Sequence, residues 1–448
     1  MPNTAQTPPQ TSRRPARLRF LYNLIIYLLL PIILVRLLSR GLRNRAYLSR
    51  IGERFGRYPD QPRDYDVWIH AVSVGEVNAA GPLARALVKM NPQLRVLLTT
   101  MTPTGADQAR IAMSERIEHL YLPYDYPFAV RRFLEHCSPK VAIMMETEIW
   151  PNFIQQCDRR GIPLVVANLR LSQRSYAKYA RLLPFTRSVF RKVKWFAVQT
   201  AADRQRVGGL LGHRENVSVT GNIKFEINLP ASLREVAQVV RREWGTERTV
   251  WVAGSTHEGE EETIIKVFKS LRQRHPSLLL VLVPRHPERF DSVYRLLQKY
   301  RLDTVRRSMH AGAVSDDLEV FLGDTMGELP IFFAACDIAF VGGSLTEIGG
   351  HNILEACALG KPVIFGPHMF NFLEISQMAL ERHAGIQVQN EKELESVLRQ
   401  LVEDANFRYA CGQRGIALVE DNQGALMRTL EVLEPFLPDA AKFNRQRT

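Results

Sequence analysis

The chain of 448 residues is poor in cysteine and pairs none of it in a C-x-x-C motif. Its five cysteines (Cys137, Cys157, Cys336, Cys357, Cys411) are scattered and odd in number. That argues against a disulfide framework and a structural zinc site, and fits a reducing compartment. The strongest nucleotide signatures are missing too. There is no G-x-x-x-x-G-K-[ST], and no G-x-G-x-x-G follows the first strand-like run of either half. ATP hydrolysis and hydride transfer both lose ground. No H-x-x-x-H spacing supports a metal, so neither metal nor other cofactor is expected. Acid is absent from residues 1–52, which hold nine arginines and leave only +4 of the net +13 to the rest of the chain. The basicity is local, which argues against a nucleic-acid-binding surface.

What that basic stretch surrounds is apolar. Phe20–Val35 reads FLYNLIIYLLLPIILV, interrupted only by Asn23 and Pro31, with Arg13, Arg14, Arg17 and Arg19 before it and Arg36, Arg40, Arg43 and Arg45 after. A full span needs roughly 20 apolar residues, so this one either spans with snorkelling ends or lies in the interface. Arginines on both sides favour anionic headgroups, at about 1 kcal/mol each near the surface. No A-x-A-like cleavage site follows. We expect a disordered proline-rich tail over 1–17, a membrane-anchoring helix with its basic flank over 18–48, and a body on the cytoplasmic side.

Beyond the leader, a hydrophobic fraction of 46% and a charged fraction of 23% are those of a globular protein. Short apolar runs alternate with longer amphipathic stretches. They are DVWIHAV, RVLLTT, VAIMME, PLVVAN, WFAVQT and VSVTGN, then TVWVAGS, LLLVLVPR, LEVFLGD, DIAFVGG, KPVIFG and AGIQV. Such runs predict parallel strands covered on both faces. Two series predict two doubly wound α/β domains, 49–230 and 231–448, with the break near NLPASLREV (228–236). Ligands of such sheets bind beyond the carboxyl ends of the strands.

The richest stretch is FVGGSLTEIGGHNILEACALGKPVIFGP (340–367). Glycines at a strand end let a phosphate approach the backbone, and a helix opening at NILEACAL would offer unpaired N–H groups. Glu355 could accept from ribose hydroxyls; alternatively Asn352 and Glu355 form a capping box. VLVPRHPERF places Arg285 after an apolar run, positioned for a phosphate. GDTMGEL sets Gly327 and Glu328 after another, whereas Glu260–Glu262 in VAGSTHEGEEE reads as a solvated first turn. His70, His257, His286, His351 and His368 also fall near strand ends, suited to bonding phosphate or sugar.

In the first half, HAVSVGE sets Glu76 at a strand-to-helix turn, and VAIMMETEIWP runs five apolar residues into Glu146, with Glu148 two positions on. A carboxylate ending so apolar a run is partly desolvated, which is costly unless it is paired or used. VTGNIKFEI brings Lys224 to a third strand end. Together these suit a transferase: a base for an acceptor hydroxyl, and cations for a departing phosphate. A helix N-terminus is expected to keep Glu76 ionised at neutral pH.

HAVSVGE, METEIWP, GNIKF, VPRHPERF, GDTMGEL and GGHNILE, in this order, resemble the membrane-associated 3-deoxy-D-manno-oct-2-ulosonic acid (Kdo) transferases of lipopolysaccharide synthesis, from the leader to near the C-terminus. The resemblance implies a GT-B fold of two Rossmann-like domains facing a cleft, the N-terminal one taking the acceptor and the C-terminal one CMP-Kdo. It implies an inverting transfer of Kdo from CMP-Kdo to lipid IVA, the lipid A precursor, at the bacterial inner membrane. By motif, Glu76 is the proton acceptor, and Glu146 and Lys224 stabilise the transition state. Pro284, Arg285, Met326, Gly327, Glu328 and Asn352, Ile353, Leu354, Glu355 would hold CMP. The rival readings are another GT-B nucleotide-sugar transferase acting on a membrane lipid, a non-hydrolysing epimerase, and a non-catalytic, membrane-tethered nucleotide-sugar binder.

Overall fold

The computed structural model describes residues 13–112, 116–227 and 229–438. Among them are fourteen strands: β1 (Tyr65–His70), β2 (Val96–Thr100), β3 (Ile117–Tyr121), β4 (Pro139–Met145), β5 (Leu164–Leu169), β6 (Trp195–Val198), β7 (Val217–Val219), β8 (Val250–Thr256), β9 (Leu279–Pro284), β10 (Thr304–Arg306), β11 (Val320–Leu322), β12 (Ile338–Val341), β13 (Val363–Phe365) and β14 (Gly385–Gln387). They form two seven-stranded sheets, ordered β3-β2-β1-β4-β5-β6-β7 and β10-β11-β9-β8-β12-β13-β14. Every strand pair is parallel. The doubly wound α/β class expected from the sequence is therefore the one observed.

The apolar runs are continuous because both faces are covered. In the first sheet Trp68, Ala142 and Met144 face one core, while Val67, Ile69, Val141 and Ile143 face the other, the two-residue alternation of a strand. In the second, Trp251, Ala253, Leu280, Leu282, Ile338 and Phe340 share one cluster.

The sheets belong to two compact units, one of residues 13–226 with 423–438 and one of 227–422. The sequence reading gave all of 231–448 to the second domain. The helix Ala425–Leu433 packs instead on the first, adding Ala425, Leu430 and Leu433 to the cluster that holds Val67 and Ile69. Arg428 Nε donates to the Thr220 carbonyl at 2.8 Å, and Leu426 N–H donates to Glu226 Oε1 at 3.0 Å.

The leader also departs from expectation. Helix begins at Arg13, inside the segment read as a tail, and residues 1–12 of that tail lie outside the described residues. Two helices, Arg13–Leu28 and Leu30–Arg43, replace a single one and are bent by 43°. Pro31, which lacks an N–H and crowds the preceding turn, accounts for the break. Among the described residues no single helix is long and apolar enough to cross a membrane; the bent pair meets that test only jointly. The first helix lies against the first unit. Tyr22 OH donates to Asp125 Oδ2 (2.8 Å), Arg19 Nη1 to Gln155 Oε1 (2.6 Å), Asn152 Nδ2 to Asn23 Oδ1 (2.8 Å) and Tyr126 OH to the Ile26 carbonyl (3.0 Å). Phe20, Leu24, Leu28, Ile32 and Val35 remain exposed.

Candidate functional site

In each sheet the strand order reverses between two central neighbours, β1 and β4 in the first and β8 and β12 in the second. Loops leaving the carboxyl ends of such a pair diverge to opposite faces and open a crevice. The notable residues sit there.

In the first unit β1 leads through Ser73 into the helix Val74–Met90, placing Glu76 in its first turn. The S-x-x-E spacing is that of a capping box, yet the carboxyl reaches one residue further back. Glu76 Oε2 accepts from Val72 N–H at 2.8 Å, and Oε1 accepts from Ser73 Oγ at 3.1 Å. Burial, then the negative charge of Glu148 and more weakly that of Glu146, push the Glu76 carboxyl up to about 8. The expected ionisation at neutral pH is thus reversed. Two hydrogen bonds and a helix N-terminus do not offset the loss of water and two like-charged neighbours.

Glu146 follows β4 directly and takes a left-handed backbone, φ +56°. That region is costly for a residue with a Cβ. The strain is held by its N–H, which donates to the Ala167 carbonyl at 2.8 Å. Its Oε1 lies 2.6 Å from Lys224 Nζ. Lys224 is presented by the turn Ile223–Phe225 after β7. That turn hangs on Asn168, the penultimate residue of β5, also left-handed at φ +55°, whose Oδ1 accepts from Ile223 N–H at 3.0 Å. Sequence reasoning passed over Asn168; its signal was an asparagine, tolerant of this conformation, closing an apolar run. Glu148 is held by Trp150 Nε1, which donates at 2.7 Å, and burial raises its carboxyl as well. The structure therefore brings Glu76, Glu146, Glu148 and Lys224 together. His70 is not part of this set. It is buried in β1 with Nδ1 2.9 Å from Thr99 Oγ1, and burial pushes it down to about 3, leaving it neutral.

In the second unit β12 ends at a loop in which Gly342 is required by space. A Cβ there would lie 2.5 Å from the Ser255 carbonyl oxygen. The amides that follow are not free for phosphate as expected. Glu260 Oε2 accepts from His257 N–H (2.9 Å) and Gly343 N–H (2.7 Å), and Oε1 from Ser344 N–H (2.9 Å) and Leu345 N–H (2.9 Å). Glu260 and Glu261 are buried, and Glu261 accepts from Arg289 Nη1 at 2.6 Å. The solvated turn expected at 260–262 holds only for Glu262, which is exposed. The missed signal was the H-x-x-E spacing of a carboxylate that returns to the amide three residues back.

His257 and His351 meet beside this brace. Their Nε2 atoms are 2.8 Å apart, with rings stacked at 5.1 Å and 7°, and His286 stands edge-on to His257 at 5.2 Å. Burial first, then the neighbouring histidines, Arg285 and, for His257, Arg289, press them down to about 4 and about 3, so the pair is neutral and one ring donates to the other. Among the described residues no cluster suited to a metal occurs. Pro284 closes β9, and Arg285 N–H donates to the Thr256 carbonyl at 3.0 Å, with its guanidinium near enough to depress both histidines. Met326 and Gly327 are exposed on the next loop. Glu328 is held ionised by Arg307 at 2.9 Å and below its usual range. The helix expected at Asn352 starts at Leu354 and lasts only to Ala358, too short for a substantial dipole. Asn352 Oδ1 accepts from Leu354 N–H at 3.1 Å, Ile353 and Leu354 are buried, and Glu355 is raised by burial and bonded to Asn352. His368 only donates its N–H to the Ser344 carbonyl.

Comparison with known proteins gives two family matches. Residues 49–227 match the family described as 3-deoxy-D-manno-octulosonic-acid transferase (kdotransferase), and 249–417 match glycosyl transferases group 1. A 3-deoxy-D-manno-octulosonic acid transferase of Haemophilus influenzae is 39% identical over 94% of this chain and 99% of its own length. One of Bordetella pertussis is 35% identical over 87% and 91%. Among solved structures, the C-terminal CMP-Kdo binding domain of an Acinetobacter baumannii protein is similar at 32% identity, covering 42% of this chain and 98% of that domain, with a TM-score of 0.41.

Proposed function

Since the chain belongs to the 3-deoxy-D-manno-octulosonic acid (Kdo) transferase family of glycosyltransferases, we propose that it moves Kdo from CMP-Kdo to lipid IVA with inversion, at the cytoplasmic face of the bacterial inner membrane. The observation that carries this reading is the buried Glu76 carboxyl, poised at about 8 where β1 and β4 diverge and beside the Glu146–Lys224 ion pair. A base works best when its pKa lies near the working pH, and burial gives Glu76 that property.

In this mechanism Glu76, once ionised, takes the proton of an acceptor hydroxyl. The freed oxygen forms a bond to the Kdo carbon that carried CMP. The bond from that carbon to the phosphate oxygen breaks, and CMP departs with the electron pair. Lys224, fixed by Glu146, supplies positive charge where negative charge develops. Pro284, Arg285, Met326–Glu328 and Asn352–Glu355 hold CMP. Arg285, with the neutral His257–His351 pair beside it, answers the growing charge on its phosphate. The leader lies in the membrane surface, since its first helix is bonded along its length to the first unit while Phe20, Leu24 and Leu28 stay exposed.

The test is the full-length protein with CMP-Kdo and a tetra-acylated lipid A precursor, products read by mass. Kdo adducts that vanish in Glu76→Gln support the proposal; CMP binding without adducts leaves a nucleotide-sugar binder instead. Calorimetry should show CMP preferred to UDP, and weakened by Arg285→Ala. Equal affinity for both nucleotides would favour a different donor.

A further inference from the structure

A second acid-free stretch runs from Arg159 to Ala202, with ten lysines and arginines and no aspartate or glutamate. With the nine arginines of residues 1–52, these two stretches carry nineteen positive charges, more than the chain's net +13. The remainder of the protein is therefore net acidic. The fold brings the two stretches together. The helix Leu183–Phe190 packs on the leader's first helix, with the Tyr22 and Phe185 rings 5.9 Å apart. The preceding helix, Gln173–Arg181, buries none of its nine residues, and Arg174, Lys178 and Arg181 on it are exposed. Leu182, between the two helices, is 55% exposed beside a leader whose Phe20 is 71% exposed.

A cavity of about 340 Å³ opens between these elements. Its walls are Tyr22 of the leader, Ile149 and Trp150 after Glu148, and Tyr179, Leu182 and Phe185, with Glu148 and Lys178 as its charged groups. Its volume lies at the lower end of small-molecule pockets, roughly 300–1,000 Å³. Glu148 stands two residues from Glu146, so the polar edge of the cavity adjoins the carboxylate cluster. The apolar remainder adjoins the exposed apolar side chains of the leader.

We propose that the cavity walled by Tyr22, Trp150, Tyr179, Leu182 and Phe185 holds an acyl chain of the lipid acceptor, with Lys178 at its rim for an acceptor phosphate. The proposal rests on the acceptor being an acylated, phosphorylated sugar, as in the reaction above. Three features select this occupant. The walls are aromatic and aliphatic, the exposed Arg174, Lys178 and Arg181 of the flanking helix suit an anionic headgroup, and the cavity lies beside the surface that exposes apolar side chains. The acceptor's sugar end is thereby directed toward Glu146 and Glu76, while the chain stays in an apolar surrounding as the molecule leaves the bilayer plane.

The test uses the full-length protein in phosphatidylethanolamine–phosphatidylglycerol vesicles with a tetra-acylated precursor carrying a photoactivatable diazirine in one acyl chain. Adducts should map to peptides containing Ile149–Trp150 and Tyr179–Phe185. Unlabelled precursor should compete for them, and added phosphatidylglycerol should not. Labelling confined to residues 20–42, or equal competition by phosphatidylglycerol, overturns the proposal in favour of simple bilayer contact. Leu182→Trp fills the mouth from an exposed position. It should raise KM for the acylated precursor roughly tenfold with unchanged CMP affinity and unchanged thermal unfolding; an unchanged KM also overturns the proposal. A native protein that photolabels as expected but transfers no Kdo would refute the reaction and leave the lipid site standing.

Discussion

Glu76→Gln separates stability from activity in one substitution. The folded carboxyl sits at about 8 against an ordinary 4.5. Between those values the folded chain keeps a proton that the unfolded chain has released, so stability falls as pH rises through this window. At about 1.36 kcal/mol per unit, the group costs the native fold about 3 kcal/mol at pH 7, less than about 1 at pH 5, and about 5 above pH 8. Glutamine resembles the neutral carboxyl. Its oxygen can accept from Val72 N–H, and its amide can donate to Ser73 Oγ, which then accepts rather than donates. The variant should therefore match the native protein in urea unfolding at pH 5 and exceed it by about 3 kcal/mol at pH 7, while turnover drops by roughly 10²–10⁴. In the native enzyme kcat/KM should rise with pH and level off above about 8. A stability difference that does not grow between pH 5 and pH 7, or a native rate flat across pH 6–9, would refute the argument that burial and Glu148 poise this group.

Lys224→Ala leaves Glu146 without its cation at 2.6 Å, so like-charge repulsion in the cluster grows. The pH–rate profile should shift upward, turnover should fall, and Lys224→Arg should recover part of it; an unmoved profile would show the lysine to be structural only. Glu260→Ala strips four backbone N–H groups of their acceptor, each costing about 1–3 kcal/mol when buried. A large loss of stability in the second unit is expected by thermal unfolding, with Glu262→Ala as the silent control; equal behaviour of the two would contradict the brace. Tyr22→Phe removes the hydroxyl that donates to buried Asp125. Amide exchange in residues 16–28 should quicken while that of β1 and β4 stays slow, and unaltered exchange would mean the helix is held by its other contacts alone.

The strands that the sequence disclosed and those it hid divide by physical environment. The twelve runs read as strands correspond to observed strands, and most of those are sandwiched between two helical layers, where an unbroken apolar run is the only workable composition. The two that were hidden, β3 (IEHLY) and β10 (TVR), are edge strands with one neighbour each. An edge tolerates polar residues, so the signal fades there. At the site the same logic holds. Glu76, Glu146 and Arg285 announced themselves by ending apolar runs, because charge at such a point is conspicuous in one dimension. Glu260 did not, since three consecutive glutamates look solvated until the loop at Gly343 folds onto the first of them. The charge state of Glu76 was likewise invisible, as it depends on burial and on Glu148, which is distant in sequence. The end of the first unit was missed because no local pattern distinguishes a helix that returns to an earlier sheet from one that stays.

That returning helix has a consequence for biogenesis. Leu426 bonds to Glu226 across 200 positions of chain, and Leu430 and Leu433 seal the face occupied by Val67 and Ile69. A nascent polypeptide emerging from the ribosome can therefore finish the later unit, whose residues form one uninterrupted segment, before it can close the earlier one. Until Ala425–Leu433 has been synthesised, the half that carries Glu76 keeps the apolar face of Val67 and Ile69 open. Closure of the first unit is thus the later of the two folding events, although its strands are made first.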